Sequence, residues 1–105
     1  MKTSYQIYCD YSKAISKART LESMAEKINS VAMSEIVEET ANLNASWQAT
    51  SMTIVRGKSI EIADDLKNQS KNLLNIATAI RRIARRNFDA EMRSLELAKK
   101  REYGN

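Results

Sequence analysis

Apolar and polar residues alternate along most of this chain with a period of seven, in two blocks separated by a polar stretch. In the first block one column reads Tyr11, Ala18, Ala25, Ala32 and another reads Ala14, Leu21, Ile28, with Ile15, Ile36 and Leu43 widening the stripe. Such spacing gathers the apolar residues on one side of a helix, and repetition every seven residues marks a seam against a neighbouring helix. Ser12, Lys13, Ser16, Lys17, Glu26, Lys27 and Asn29 fall mostly off this stripe, as a solvated face should. The second block carries three columns: Ile62, Gln69, Ile76, Ile83, Ala90; then Leu66, Leu73, Ile80; then Ala63, Ser70, Ala77, Ala84. Three columns cover more of a helix than one neighbour needs. One flank is expected to close against the first helix and the other against a second chain. The packing and dimer seam is therefore assigned to Leu21, Ile28 and Ile36 in the first helix. In the second it is assigned to Ile62, Leu66, Leu73, Ile76, Ile80 and Ile83.

Between the blocks lies Asn42-Leu43-Asn44-Ala45-Ser46-Trp47-Gln48-Ala49-Thr50-Ser51, rich in side chains that compete for backbone hydrogen bonds and favour turns and caps. The pattern predicts a single domain over residues 1–105, an all-α antiparallel two-helix hairpin that dimerises into a four-helix bundle. Helix one is expected over about 10–43, the bend over about 44–50 and helix two over about 51–100. Residues 1 to about 9 carry no helical pattern, so Asp10 or Ser12 is the expected cap of helix one, and Thr50 or Ser51 that of helix two. Gly57 lies inside helix two, where it either marks a bend or close contact or is a tolerated surface glycine; alternatively, helix two starts only near Lys58. The small columns, Ala18, Ala25, Ala32 on one side and Ala63, Ser70, Ala77, Ala84 on the other, would let two antiparallel helices approach closely.

Composition agrees with long helices and narrows the chemistry. There is no Pro, and only two Gly, which argues against a chain of short strands and turns. A lone hairpin has a thin core, and with Cys9 as the only cysteine no internal disulfide can staple it, so oligomerisation is the expected stabiliser. The chain has no His, which removes the usual general base near neutral pH. Cys9 reads as an ordinary thiol, and the adjacent pairs Glu38, Glu39 and Asp64, Asp65 point in different directions on a helix. No phosphate-cradling glycine loop and no metal-ligand spacing is legible. The chain is read as not an enzyme, with no catalytic residue, cofactor or metal. No apolar run approaches the roughly 20 residues of a membrane span, and the N-terminus lacks the apolar region of a cleavable signal peptide. Synthesis in the cytoplasm is expected, with any export following another route.

Charge is uneven under a net +4. Residues 21–50 are acidic through Glu22, Glu26, Glu35, Glu38 and Glu39, while Lys71, Arg81, Arg82, Arg85 and Arg86 make residues 71–86 basic. The four arginines form a ridge that could bind phosphates, so a basic helical nucleic-acid-binding protein is the alternative function. Ile80, Ile83 and Ala84 belong to the apolar seam, Asp89 and Glu91 follow the ridge, and no aromatic platform interleaves the charges, so the arginines read as a partner-selecting flank of a packing face. Trp47 is either a plug over the end of the hairpin core or a recognition element at the bend.

A hairpin of this length with Trp47-Gln48-Ala49 at its bend and no signal peptide resembles the Trp-x-Gly superfamily, the ESAT-like small helical proteins exported by type VII secretion systems. The resemblance covers nearly the whole chain and includes Lys58 after the bend and Asn87-Phe88-Asp89-Ala90-Glu91 late in helix two. That last stretch is similar to the aromatic-plus-acidic segment that often ends helix two in Firmicutes members. Ala49 stands where the family has Gly, and Met92 stands four residues after Phe88, where the family's export signal has an acid. The resemblance implies a secreted substrate or export partner that pairs with itself, with a related chain, or with the N-terminal helices of an LXG-type toxin. It implies recognition by the secretion ATPase, with Trp47 and Ala49 as bend motif and Phe88, Asp89 and Glu91 as a secretion-signal-like patch.

Overall fold

The computed structural model describes residues 1–43, 47 and 49–103. Every regular element among these is helical. The helix α1 runs Ser4–Ser30, a π-helical segment follows over Val31–Glu38, α2 spans Glu39–Leu43 and α3 runs Ala49–Tyr103. The chain divides into two compact units, one of residues 1–20 with 76–105 and the other of residues 21–75.

In the first unit, α1 begins at Ser4, six residues ahead of the expected start near Asp10. The cause is a reciprocal cap. The Thr3 N–H donates to Gln6 Oε1 at 2.9 Å and the Gln6 N–H donates to Thr3 Oγ1 at 3.1 Å. Two donors that an isolated helix start leaves unpaired are thus satisfied. The helix so started carries Ile7 into the interior, where it is 2% exposed, together with Ala18, Ala77 and Ala84. Tyr11 meets Phe88, their ring centroids 5.1 Å apart and tilted by 48°, and Lys2 reaches Glu91 at 3.1 Å. The two segments of this unit run in opposite senses.

In the second unit the interior is built from Ala25, Ala32, Met52, Ala63 and Ser70. Both columns of small residues are therefore buried, and the larger Leu and Ile positions flank them. Small side chains at the contact permit the closest helix separations. The Ser70 hydroxyl donates to the Ala25 backbone carbonyl at 2.8 Å, a bond available only where two backbones come that near. Thr40 lies 2.8 Å from Ser59, so this pair of segments is also antiparallel.

Helix one was expected to continue unbroken to about 43; the π-helical turn is the departure. Continuing the column Ala18, Ala25, Ala32 by seven would bring Glu39 to the seam. Instead Glu39 is exposed and Thr40 is half-buried. A π turn accommodates an extra residue, which slides the register by one and keeps a carboxylate out of the contact. The Ile36 carbonyl accepts both the Glu39 N–H and, at 2.6 Å, the Thr40 hydroxyl. One hydroxyl proton cannot serve both Ile36 and Ser59, so with the Thr40 proton on Ile36 the Ser59 hydroxyl donates to Thr40 Oγ1.

α3 starts at Ala49, so the alternative start near Lys58 is not observed. Gly57 is exposed within it, and a Cβ built there meets nothing within 4 Å. Of the readings of Gly57, the tolerated surface glycine is the one observed.

Candidate interaction surface

The assigned seam separates into two grades. Leu21, Ile28, Ile36, Leu66, Leu73 and Ile80 are half-buried beside the small-residue interior. Ile62, Ile76 and Ile83 are exposed to about half of their surface, at 49%, 50% and 49%. Helix geometry accounts for the difference. Ile76 and Ile83 each precede a buried alanine, Ala77 and Ala84, by one residue, and so lie about a quarter turn away from the contact. Leu66, Leu73 and Ile80 lie three residues after Ala63, Ser70 and Ala77, on the adjoining column, and are drawn in by it. In the unit of residues 21–75, Met24, Val31 and Ile62 are exposed apolar side chains; in the other, Ile76, Ile83 and Leu97 are.

The arginine ridge is likewise not uniform. Arg85 Nε contacts Asp89 Oδ1 at 3.4 Å, and its guanidinium carbon lies 5.5 Å from the centre of the Phe88 ring. Arg81 is half-buried, while Arg82 and Arg86 are exposed. Phe88, Asp89 and Glu91 each have an intramolecular partner: Phe88 packs on Tyr11, Asp89 pairs with Arg85 and Glu91 pairs with Lys2. Lys2 also binds Asp10 at 2.8 Å. The hydrogen bond from Lys2 holds the Asp10 carboxyl below the ordinary carboxylate range, and the same bond, with that to Glu91, holds the Lys2 ammonium above its ordinary value.

Trp47 stands between α2 and α3 and is 48% exposed, with Ala49 opening α3. The expected bend over 44–50 falls in part on residues 44–46 and 48, which lie outside the described residues. The side chain that is buried at the start of α3 is Met52, at 2%. Sequence reasoning missed both Met52 and Ile7. Each lies eleven residues before a small-column member, Ala63 and Ala18 respectively. Eleven residues is three helical turns, so the signal was present but lay outside a search at seven.

The remaining features offer little chemistry. Among the described residues no group of His, Cys, Asp or Glu is arranged to hold a metal ion, and no helix is long and apolar enough to cross a membrane. Cys9 is half-buried, and its hydrogen bond pushes the Tyr5 phenol upward. An open groove of about 700 Å³ is edged by Glu26, Asn29, Asp64, Lys67, Asn68 and Lys71, with Leu74 and Ser70 also in its lining. A smaller one of about 220 Å³ lies between Val37, Thr40, Ala41, Arg56, Ser59 and Ile60.

No family model matches the chain, and neither a curated protein nor a solved structure does. The surface must therefore be read from its own geometry, and its dominant feature is exposed aliphatic side chains at helical spacing beside a contact already closed by alanines.

Proposed function

We propose that the chain is a non-enzymatic export partner that works by helix pairing. It folds back as an antiparallel two-helix hairpin and buries its second apolar flank against another helical chain, completing a four-helix bundle. The setting suggested by the Trp-x-Gly resemblance is type VII secretion. The chain is made in the cytoplasm and exported, either as a substrate or as the escort of one. Its partner is a second copy or a related helical protein such as the N-terminal helices of an LXG-type toxin.

The observation that carries this reading is the half exposure of Ile62, Ile76 and Ile83. Aliphatic side chains left half in water forgo stabilisation of about 25 cal/mol per Å² until something covers them, and Ile76 and Ile83 stand seven residues apart within one unit, on one side of α3. Trp47, half exposed beside α3, suits a recognition element for the secretion ATPase. The nucleic-acid alternative draws less support, because Arg85 is engaged by Asp89 and Phe88 and Arg81 is half-buried.

The test is export. The tagged chain is expressed in a bacterium with a working type VII system, alone and with LXG toxins encoded by that host. Appearance in the medium, lost when the secretion ATPase is deleted, is the expected result. Retention in the cytoplasm under every pairing, with no effect on release of any co-expressed toxin, overturns the proposal.

A further inference from the structure

The exposed column of α3 within the unit of residues 1–20 and 76–105 has a charged border. Ile76, Ile83, Ala90 and Leu97 are exposed at seven-residue intervals. Arg86, Arg93 and Lys100, each three residues after a member of that column, are exposed as well. Positions three apart are neighbours on a helix surface, so a basic column runs alongside the apolar one. The buried alanines Ala77 and Ala84 lie on the opposite side of it. An apolar column bordered by one sign of charge at the same period is how paired helices choose partners. The apolar column extends over about 30 Å of helix and its basic border, from Arg86 to Lys100, over about 20 Å, and this unit as a whole holds twelve Lys and Arg against five Asp and Glu.

We propose that this column docks an amphipathic helix of a different chain, one whose apolar stripe is bordered by carboxylates at seven-residue intervals. A second copy does not offer that border. In this sequence the only acidic residues seven apart are Asp89 and Glu96, and Asp89 is already bound to Arg85. Neither follows an exposed apolar column three residues behind it, as Arg86, Arg93 and Lys100 do. The inference rests on the reading that this face is covered by a helix of another molecule, and it adds which helix.

The probe is a pair of synthetic 28-residue helical peptides, about four heptads long, with identical Leu and Ile stripes, one bordered by Glu and the other by Lys. Titrated against the full chain at low salt, the Glu peptide should bind at least about tenfold more tightly, the equivalent of about 1.4 kcal/mol. The advantage should shrink as salt is raised. The triple variant R86E/R93E/K100E, altered only at exposed positions, should keep its helical circular dichroism and prefer the Lys peptide. Ile83→Asp should weaken both. Equal binding of both peptides that still depends on Ile83 overturns the choice of partner while leaving helix pairing intact. Binding of neither peptide removes pairing as well. Self-association of the chain alone that the triple variant abolishes makes a second copy the occupant. Loss in the triple variant of binding to phosphatidylserine vesicles or duplex DNA, with no peptide bound, assigns the column to an anionic surface instead.

Discussion

Ser70 Oγ donates to the Ala25 carbonyl oxygen at 2.8 Å, tying a side chain of α3 to the backbone of α1. A hydroxyl on a single methylene cannot reach a neighbouring helix's carbonyl unless the facing residues are small. Ala25 and Ala32 on one side and Ala63 on the other are the residues that make room, all buried. The bond is a local gauge of how near the two segments lie.

Enlarging that contact should therefore be costly. Ala25→Leu inserts three carbons where no space exists, and overpacking of this kind costs about 1–3 kcal/mol. Ser70→Ala removes a hydrogen bond but leaves no crowding, and should cost only about 0.5–1.5 kcal/mol. Urea midpoints of the two variants check the order; equal midpoints would contradict a close contact at Ala25.

Gly57 offers the opposite sign. It is helical, its φ is not positive, and a Cβ there would meet open space. Gly57→Ala should stabilise the protein by about 0.5–1 kcal/mol through the lower entropy of the unfolded chain. A raised melting temperature is the expected outcome, and a lowered one would reveal a contact at this position in the native assembly.

Met52 and Trp47 should behave unlike what their sizes suggest. Met52 is almost completely enclosed, so Met52→Ala should cost about 2–5 kcal/mol. Trp47, with about half its surface in water, should cost less when replaced by Ala. The single indole also reports on itself: its native fluorescence should be red-shifted and quenched by acrylamide in the isolated chain. A blue-shifted, protected emission from a monomer would show that the indole is covered.

The Lys2 clasp sets a pH window. The Asp10 carboxyl is held below its ordinary range and the Lys2 ammonium above its own. The pair's contribution is thus complete between the two ordinary ranges, from about pH 5 to about pH 9. It is lost as pH falls through the depressed Asp10 value, and again as pH rises through the raised Lys2 value. Its size is small, because both side chains are about half exposed. An NMR titration should find Asp10 titrating below a free aspartate, and Lys2→Ala should return it to the ordinary range. An unchanged Asp10 titration in that variant would refute the clasp.

The columns at seven-residue spacing read correctly because a helix face repeats nearly in step with that period. Ala18, Ala25, Ala32, Ala63, Ser70, Ala77 and Ala84 were all legible as contact positions, and all are buried within their own units. Three features escaped. The start at Ser4 depends on the Thr3 and Gln6 side chains reaching back to each other's backbone, which a search for apolar period overlooks. The one-residue slip that replaces Glu39 by Thr40 arises in a π turn, and no single residue type announces one. The partners of Phe88, Asp89 and Glu91, which are Tyr11, Arg85 and Lys2, were not legible either, because two of them come from the far end of the chain.

The chain's order of residues was enough to determine that it is helical and which small residues meet, because backbone propensity and side-chain period act locally along one helix. Only the tertiary structure decided which flank of α3 closes and which stays half open. That choice depends on the angle at which one helix face meets another, a quantity set by packing across segments far apart in the chain.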